Sequence, residues 1–493
     1  MEKLLELKTL GALKNAKYQS VSIKDELRKN LIERLSKKQT VFEGIYGYED
    51  TVIPNLERAI LARHSINLLG LRGQAKTRIA RKMVDLLDAY IPIVAGSEVN
   101  DDPFSPVSKY ARDLKEKMGD DLPIEWLPRS ERYVEKLATP DVSIADLIGD
   151  VDPIRAANLK LDYSDERVIH FGLIPRANRS IFVINELPDL QARIQVALFN
   201  ILQEGDIQIR GFRLRFPLDI QFVFTANPED YTNRGAIITP LKDRIQSQIM
   251  THYPKTIQLA KEITGKEAKL LANQKETIQV PEVIKDLLEQ ISFEARTSEF
   301  VDEKSGVSAR LSISAYEVLH SAAERRMLLN GEKSTTIRIS DLMNVIPAII
   351  GKIEMVYEGE QEGASNVSYA LIRSAIRSQA LQFFPELKDL KIKQNKQTEA
   401  YLSIINWFNN NRLDLLNELG EKAYSKALSK VEGLQNLIQT KFPQLPENSK
   451  LLMMEYLLHA LAEYSYLSKN QLERSFEFGD LFSSIFSAEQ END

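Results

Sequence analysis

Residues 70–77 read GLRGQAKT, and this stretch constrains the fold more than any other part of the sequence. It nearly matches the phosphate-binding loop G-x-x-x-x-G-K-[ST], with Ala75 in place of the last glycine. The apolar run at 65–69 predicts a buried strand before the loop, and the apolar spacing over 77–90 predicts a helix after it. In that context the loop N–H groups and the helix N-terminus face the phosphates of a nucleotide.

The loop predicts a specific set of contacts with the cofactors ATP and Mg²⁺. Lys76 is expected to reach the β- and γ-phosphates, and the Thr77 hydroxyl is expected to bind magnesium. The residues predicted to bind the nucleotide are Gly70, Gly73, Gln74, Ala75, Lys76, Thr77 and Arg78. A glycine-rich turn without a ligand is the alternative, and the later motifs weigh against it.

The composition limits the functions that remain open. A chain of 493 residues suggests about two to four domains, and no segment approaches the roughly 18 apolar residues of a membrane span. The absence of cysteine excludes disulfides and cysteine–zinc sites and suits a reducing compartment. Acidic residues near the start are not typical of a secretory signal, and the net charge of −6 disfavours nucleic acid as a partner. We therefore expect a cytoplasmic protein without a membrane span.

Helical stretches alternate with apolar, β-rich runs from residue 65 to about residue 253. The clearest of these runs lie at 91–94, 180–184 and 220–225. Because the runs are apolar on both faces and interleaved with helices, they predict a mostly parallel sheet in an α/β domain. Beyond residue 254 the patterns are almost entirely helical.

The patterns divide the chain into successive regions. An N-terminal helical segment is expected at 1–40, and the α/β nucleotide-binding domain at 41–254. A compact helical domain is expected at 255–357, and a further all-helical extension at 364–493. A polar, glycine-containing stretch separates these two, and the acidic tail at 487–493 is expected to be disordered.

A second nucleotide-handling motif is the sequence IFVINE at 181–186. It predicts an apolar strand that ends in two polar side chains at the carboxyl edge of the sheet, where ligands of open α/β sheets bind. Phosphate-loop ATPases usually place aspartate and then glutamate here, to hold magnesium and to orient the attacking water. Glu186 suits the second role. Asn185 can accept a hydrogen bond from a magnesium-bound water but brings no charge, and a solvated Asn-Glu turn is the alternative.

Three further residues are predicted to act on the γ-phosphate. Asn227 follows an apolar strand and can position the attacking water, although an ordinary Asn-Pro turn is the alternative. Arg244 can serve as an arginine finger toward a neighbouring subunit, with Arg234 as a competing candidate. Arg310 opens a helix of the second domain and can couple domain closure to the γ-phosphate. The predicted catalytic residues are Glu186, Asn227, Arg244 and Arg310.

Together these motifs resemble the AAA+ ATPases over about residues 44–351. The resemblance is greatest to the branch that contains the ATPase subunit of magnesium chelatase and the MoxR chaperones. GQAKT at 73–77 is similar to the alanine-bearing loop of MoxR relatives, and FGLIPRANRS at 171–180 is similar to the chelatase segment before the Walker B motif. The roles that the resemblance implies are Walker A for Lys76 and Thr77, Walker B for Asn185 and Glu186, sensor one for Asn227, the finger for Arg244 and sensor two for Arg310.

The same resemblance implies an architecture and partners. It implies a phosphate-loop core followed by an all-helical lid at 255–357, and a hexameric ring that hydrolyses ATP. It also implies an insert and a hairpin in the large domain, which we place at 139–152 and at Asp206–Phe216. The implied partner is a client protein, in particular a von Willebrand A-type metal-binding protein. Asn185 departs from the usual aspartate, which bears on magnesium affinity and turnover.

Several functions remain open at the level of sequence. The first is an ATP-hydrolysing motor or chaperone that remodels a partner protein. The second is a nucleotide-gated scaffold with weak hydrolysis, which Asn185 motivates. The third is magnesium insertion into a porphyrin, for which no residue pattern indicates a tetrapyrrole site. Residues 186–205 are also similar to ATPases that activate alternative sigma factors, but the G-A-F-T-G-A string of those proteins is absent.

Overall fold

A computed structural model describes residues 2–162, 165–207, 216–228, 236–388, 390, 396–472 and 475–481. The chain separates into two compact units, with the boundary between His252 and Tyr253. The first unit carries the phosphate-binding loop. Within the described ranges, no helix combines the length and the apolar character needed to cross a membrane.

The first unit is built on a five-stranded sheet whose neighbouring strands are all parallel. In chain order its strands β1 to β5 are Ile66–Leu69, Tyr133–Leu137, Ser180–Asn185, Ile220–Ala226 and Ser247–Met250. Their order across the sheet is β5–β1–β4–β3–β2. The predicted α/β fold with a parallel sheet is therefore confirmed, and the loops after β1, β4 and β3 meet at one carboxyl edge.

Apolar side chains cover both faces of this sheet, as the sequence pattern predicts. Successive residues of β3 point to opposite sides, so that Phe182 belongs to one buried cluster and Val183 to another. The first cluster includes side chains of the helix Ala192–Glu204, and the second includes side chains of the helix Ile23–Ser36. The sheet is thus the middle layer of three.

Helices and short antiparallel strand pairs surround the main sheet. The α-helices described in this unit are Glu2–Leu5, Leu10–Asn15, Ile23–Ser36, Val52–Leu61, Lys76–Lys82, Lys109–Met118, Ile144–Leu147, Pro153–Leu159, Leu173–Arg176, Ala192–Glu204 and Thr239–Arg244. The 3₁₀ helices are Met83–Leu86, Gly119–Asp121, Arg129–Glu131, Glu166–Val168 and Leu187–Asp189. The antiparallel pairs are Tyr90–Val94 with Ile124–Pro128, Gly149–Val151 with Ile169–Phe171, and Asp206–Ile207 with Phe216–Pro217.

Several expectations for this unit need correction. The run at 91–94, predicted to join the parallel sheet, instead pairs antiparallel with Ile124–Pro128. The helix predicted over 77–90 ends as an α-helix at Lys82, becomes a 3₁₀ helix and gives way to a strand at Tyr90. The sequence pattern does not predict β2, because Glu135 and Lys136 interrupt its apolar residues, as is common for a strand at the edge of a sheet.

The two predicted inserts have local structure of their own. Residues 139–152 contain the helix Ile144–Leu147 and the strand Gly149–Val151. At the predicted hairpin, Asp206–Ile207 pairs with Phe216–Pro217, while residues 208–215 lie outside the described ranges, as does the acidic tail at 487–493. The assignment of these segments as family inserts stays a prediction.

The second unit is mainly helical. Its described α-helices are Ile257–Glu267, Ala272–Thr277, Glu282–Thr297, Arg310–Leu329, Ile346–Ile350, Tyr357–Glu362, Ala364–Phe383, Lys396–Phe408, Glu421–Leu428, Leu434–Lys441 and Glu447–Glu463. The 3₁₀ helices are Ser340–Val345 and Pro385–Lys388. The polar stretch that was expected to separate two domains is itself largely the helix Tyr357–Glu362.

One hydrophobic core runs through this unit and takes in residues from both of its predicted helical regions. The helices Glu282–Thr297 and Ala364–Phe383, one from each region, both contribute to it. The buried Glu455 carboxylate also links the two predicted regions. It accepts hydrogen bonds from the backbone N–H groups of Ile339 and Ser340, both at 3.0 Å. The separation into a lid at 255–357 and an extension at 364–493 stays a prediction.

In the described part of this unit, two small sheets accompany the helices. Ile278–Gln279 pairs in parallel with Thr335–Thr336. Leu413–Leu416, Ser468–Leu472 and Ser475–Gly479 form an antiparallel sheet with the last strand in the middle. The expectation of an all-helical extension omits this second sheet. Its strands are short and mix polar with apolar residues, so a single sequence gives little signal for them.

Candidate nucleotide-binding site

The candidate site lies at the carboxyl edge of the parallel sheet in the first unit. The phosphate-binding loop follows β1, Asn185 and Glu186 lie at the end of β3, and Asn227 follows β4. Because β4 lies between β1 and β3, the three strand ends are neighbours. The sequence places these residues after strands, and the strand order is what brings them to one place.

The backbone of the phosphate-binding loop has the conformation that its small residues allow. A Cβ at Gly70 would lie 2.0 Å from Oγ1 of Thr251 and 2.3 Å from Oε1 of Gln74, so only glycine fits there. Gly73 has φ = +74°, and Ala75 has φ = +58°. Ala75 thus adopts the left-handed conformation, which costs a residue with a Cβ about 1 kcal/mol. The helix Lys76–Lys82 begins directly after it.

Side chains outside the loop hold it in place. The Thr251 hydroxyl donates to Oε1 of the buried Gln74 at 2.6 Å. The Tyr48 hydroxyl lies 3.0 Å from the carbonyl oxygen of Gln74 and 2.8 Å from that of His252. Gln74 therefore anchors the loop to Thr251, directly after β5, and to the segment before the helix Val52–Leu61. The Arg78 guanidinium lies beside Gly44, close to where a Cβ at that glycine would be.

Lys76 joins the loop to the strand end that carries Asn227. Its Nζ donates to the carbonyl oxygen of Leu71 at 2.9 Å and to Oδ1 of Asn227 at 2.7 Å, and it also bonds the carbonyl oxygen of Gly70. A single cation is thus held between the mouth of the loop and the predicted water-positioning amide. This arrangement suits a lysine that is predicted to contact the phosphates beyond the loop.

Asn185 is the centre of a second group of contacts. Its Oδ1 accepts hydrogen bonds from the hydroxyls of Thr77 at 3.3 Å and Thr225 at 3.1 Å. Thr225 in turn accepts the backbone N–H of Glu186 at 3.1 Å. Glu186 has φ = +57°, a strained conformation for a glutamate, and such strain is common at functional sites. The structure therefore brings together the residues predicted from the first two motifs.

The sequence did not predict the contacts around the amide nitrogen of Asn185. The amide Nδ2 donates to Oε1 of Glu135 at 2.6 Å, and the second carboxylate oxygen accepts from the Tyr133 hydroxyl at 2.9 Å and from Arg81 at 2.9 Å. Burial, and after it the bond to Glu135, raises the pKa of Tyr133, while the bond to Glu135 raises the pKa of Arg81. Tyr133 and Arg81 therefore stay donors to a carboxylate at neutral pH.

The remaining predicted residues lie elsewhere. The Arg244 guanidinium stacks on the Phe199 ring at 3.6 Å and donates to Oε1 of Gln203 at 2.8 Å and to the Pro240 carbonyl at 2.9 Å. Its side chain is thus held in a defined place on its own unit. The competing Arg234 lies outside the described residues. Arg310 is the exposed first residue of the helix Arg310–Leu329 in the second unit, and its role stays a prediction.

The oxygen atoms of the site fit magnesium only together with a nucleotide. Mg²⁺ prefers oxygen ligands, and Thr77 and Asn185 offer a hydroxyl and an amide oxygen, with the Glu135 carboxylate behind them. In the part of the chain that the structure describes, no group of three or more His, Cys, Asp or Glu side chains could hold a metal ion. Protein ligands alone are therefore too few here, and nucleotide phosphates would have to complete the set.

Comparisons with known proteins point in the same direction. No protein-family model matches the chain. The magnesium-chelatase 38 kDa subunit of Cereibacter sphaeroides is 26% identical over 239 residues, which cover 46% of this chain and 63% of that protein. The chain thus spans less than two thirds of the length of this relative.

Solved structures give weaker similarities. The complex of the magnesium chelatase subunits BchI and BchD has a TM-score of 0.32 at 19% identity, covering 65% of this chain and 98% of the other. NtrX from Brucella abortus in complex with ATP has a TM-score of 0.35 at 14% identity, covering 63% and 54%. Hsp104 with ATPγS and FITC casein has a TM-score of 0.38 at 13% identity, covering 66% and 53%. Such scores carry no argument about function.

The parallel sheet, the loop after β1 and the side chains that converge on it define a phosphate-loop nucleotide-binding protein. The motifs and the curated relative agree with each other. In both, the chain is similar to the AAA+ ATPases of the magnesium chelatase type.

Proposed function

We propose that this protein binds and hydrolyses ATP and uses the cycle to remodel or activate a partner protein. The observation that carries the proposal is the contact between Lys76 Nζ and Oδ1 of Asn227 at 2.7 Å, beside the Thr77–Asn185 contact. Side chains from three strand ends meet there at one loop of the right sequence. A glycine-rich turn without a ligand does not require such convergence.

In the proposed mechanism the loop N–H groups and Lys76 bind the β- and γ-phosphates. Thr77 and Asn185 would hold magnesium, which would supply positive charge that offsets the charge of the phosphates. Glu186 orients the attacking water and accepts its proton, and Asn227 positions that water against the γ-phosphorus. The bond from that phosphorus to the bridging oxygen breaks as the water attacks, and ADP leaves with the pair of electrons.

Assembly completes the proposed site. We propose that Arg244 of one subunit stabilises the γ-phosphate charge at the site of its neighbour in a ring, which the family resemblance implies to be hexameric. Arg310 would couple the second unit to the same phosphate. The client is proposed to be a von Willebrand A-type protein, as in the chelatase and MoxR branch, and the proposed location is the cytoplasm, from the absence of cysteine.

Two measurements on the full chain test the proposal. Calorimetric titration with a non-hydrolysable ATP analogue and magnesium should show binding, and specific ATPase activity should rise with protein concentration as rings form. Arg244→Ala should lower turnover by about 10³–10⁵-fold while analogue binding remains. Arg129→Ala is the matched control. Arg129 is exposed and lies just before the start of β2, at the end of the strands opposite to the candidate site. A flat specific activity that Arg244→Ala leaves unchanged would exclude a finger supplied by the neighbour.

A nucleotide-gated scaffold is the second candidate, and the neutral side chain of Asn185 favours it. Such a protein would bind ATP and assemble but hydrolyse the bound nucleotide very slowly. Single-turnover measurements distinguish the two candidates, because they report hydrolysis per bound ATP independently of product release. A motor that turns over at the roughly 1–10³ s⁻¹ of typical enzymes should hydrolyse the bound ATP within a few seconds. Bound ATP that persists for hours would favour the scaffold.

A further inference from the structure

The charge that position 185 lacks is present one strand away. Glu135 lies in β2, which pairs in parallel with β3, and its Oε1 is 2.6 Å from Nδ2 of Asn185. Asn185 is almost fully buried, and the Glu135 side chain is only 22% exposed. A short hydrogen bond between an amide and a shielded carboxylate is strong, since the acceptor is charged.

This contact fixes the orientation of the Asn185 amide. A carboxylate only accepts hydrogen bonds, so the nitrogen of Asn185 must face Glu135. The oxygen must then face the hydroxyls of Thr77 and Thr225, which both donate to it. The oxygen that faces the phosphate-binding loop is therefore polarised by a negative charge behind the amide.

The remaining contacts of Glu135 hold it in that role. Its other oxygen accepts from the Tyr133 hydroxyl and from Arg81, whose guanidinium lies mostly in solvent. An aspartate at position 185 would set two carboxylates against each other at about the present 2.6 Å separation, without a proton between them. The chain therefore carries a matched amide–carboxylate pair, and the usual aspartate would not fit beside this glutamate.

We propose that Glu135 is a positioning residue that orients Asn185 and supplies, from the neighbouring strand, the negative charge that the Walker B strand usually carries itself. The proposal rests on the nucleotide-binding function proposed above. It predicts that the two side chains can be exchanged. In the exchanged pair Asn185→Asp with Glu135→Gln, the hydrogen bond persists with donor and acceptor reversed, and the charge returns to the Walker B strand.

The test measures how much magnesium contributes to nucleotide binding. Affinity for a non-hydrolysable ATP analogue is determined by calorimetry with Mg²⁺ and again with EDTA, and the ratio of the two affinities is the readout. Glu135→Gln should reduce this ratio about 10–100-fold, the usual effect of losing a group that supports a metal ligand. Asn185→Asp alone should also reduce it through repulsion, and the exchanged pair should return it close to the wild-type ratio.

Glu125→Gln is the matched control, since Glu125 is an exposed glutamate on the strand Ile124–Pro128. Urea unfolding without nucleotide tests for a merely structural role. A pair with only that role would change the free energy of unfolding in each single variant and would leave the ratio of the two affinities unchanged. A ratio that Glu135→Gln does not change would overturn the inference. The inference would also be overturned if the exchanged pair had a ratio no higher than that of Asn185→Asp. This comparison remains available even if Glu135→Gln fails to fold.

The same titrations separate this inference from the proposed function. Wild-type protein that binds no analogue under any condition overturns the proposed function and the inference together. Wild-type protein whose binding depends on magnesium, but equally so in Glu135→Gln, overturns the inference alone. A reduced ratio in both single variants and its recovery in the exchanged pair support it.

Discussion

Polar side chains are enclosed to different degrees at the two ends of the parallel strands. We call the end where the strands begin the amino edge and the end where they finish the carboxyl edge. At the amino edge, the guanidinium of Arg132 donates to both oxygens of Glu26 at 2.7 and 2.6 Å, and its Nε donates to the carbonyl oxygen of Arg179 at 2.9 Å. The side chains of Arg132 and Glu26 are 1% and 3% exposed. These two charged groups are therefore paired inside the protein, and removing one of them should destabilise the fold.

At the carboxyl edge the polar side chains are less enclosed. Lys76, Thr77 and Glu186 are all partly exposed, and Glu186 has a positive φ. A phosphate could also replace the present partners of Lys76. The Lys76 ammonium group is bound to two carbonyl oxygens and an amide oxygen. Because of this difference, we expect substitutions at the two edges to have different effects. Changes at the carboxyl edge should reduce turnover, and changes at the amino edge should reduce the free energy of unfolding.

Among substitutions at the two edges, the largest effect is expected for Glu186→Gln. Glutamine keeps the size of the side chain but cannot accept a proton from the attacking water, so turnover should fall by about 10²–10⁴-fold. Analogue binding should persist, because the variant leaves Lys76 and the loop intact. Steady-state ATPase assays and calorimetry on the same preparation measure both quantities.

Glu131→Gln is the control for that variant, since Glu131 is an exposed glutamate just before β2 at the amino edge. It should leave turnover and stability close to wild type. Turnover in Glu186→Gln within a few-fold of wild type would mean that another group orients the water. The division of roles between the two edges would then need revision.

Arg132→Met is expected to have the largest effect on stability. It leaves the Glu26 carboxylate buried without its partner, which typically costs about 3–5 kcal/mol. The chain has two tryptophans, Trp126 in the first unit and Trp407 in the second, so fluorescence in a Trp407→Phe background reports the first unit. Urea denaturation in that background should show the loss.

Arg129→Met is the matched control, because it changes an exposed arginine three residues earlier by the same substitution. Its effect should stay within about 0.5 kcal/mol. At low temperature, folded Arg132→Met protein should bind the ATP analogue as wild type does. A stable Arg132→Met variant with impaired binding would contradict the proposed separation of the two edges.

The sequence predicts much of the carboxyl edge because its chemistry is local. The loop at 70–77, Asn185 with Glu186, and Asn227 each follow an apolar strand, and a parallel sheet brings such positions to one edge. The residues that were missed depend on strand order. Glu135 contacts Asn185 only because β2 lies next to β3, and no spacing in the sequence reveals that neighbour.

The amino edge shows the same limit more strongly. Arg132 and Glu26 are far apart in sequence, and neither lies in any of the sequence motifs described above. Their pairing needs the helix Ile23–Ser36 to lie against the sheet, which follows from packing of its apolar face and not from any motif. Likewise, the stacking of Arg244 on Phe199 could not be predicted from the position of either residue.

The smallest effect is expected for Asp219→Asn, which tests whether every charge at the amino edge favours folding. Asp219 precedes β4, and its Oδ2 accepts the backbone N–H of Ile23 at 2.7 Å. Burial raises its pKa, against the opposing effects of that bond and of Arg179 and Arg132, while Glu26 raises it further. The folded state therefore holds the proton more tightly than the unfolded state does. Wild-type stability should fall as pH rises from the unfolded pKa near 4 through the folded pKa.

Asparagine keeps an acceptor for Ile23 and does not titrate, so the variant should lack this decrease. The difference in unfolding free energy between the variant and wild type should shift in favour of the variant as pH rises from about 4 and then level off above the folded pKa, with a size near 1 kcal/mol or less. Urea denaturation followed by Trp126 at several pH values measures it. A variant that grows less stable relative to wild type over this range would show that Arg179 makes the carboxylate favourable. In that case the amino edge is a network in which all charges stabilise, and Arg132 with Glu26 is only its most buried part.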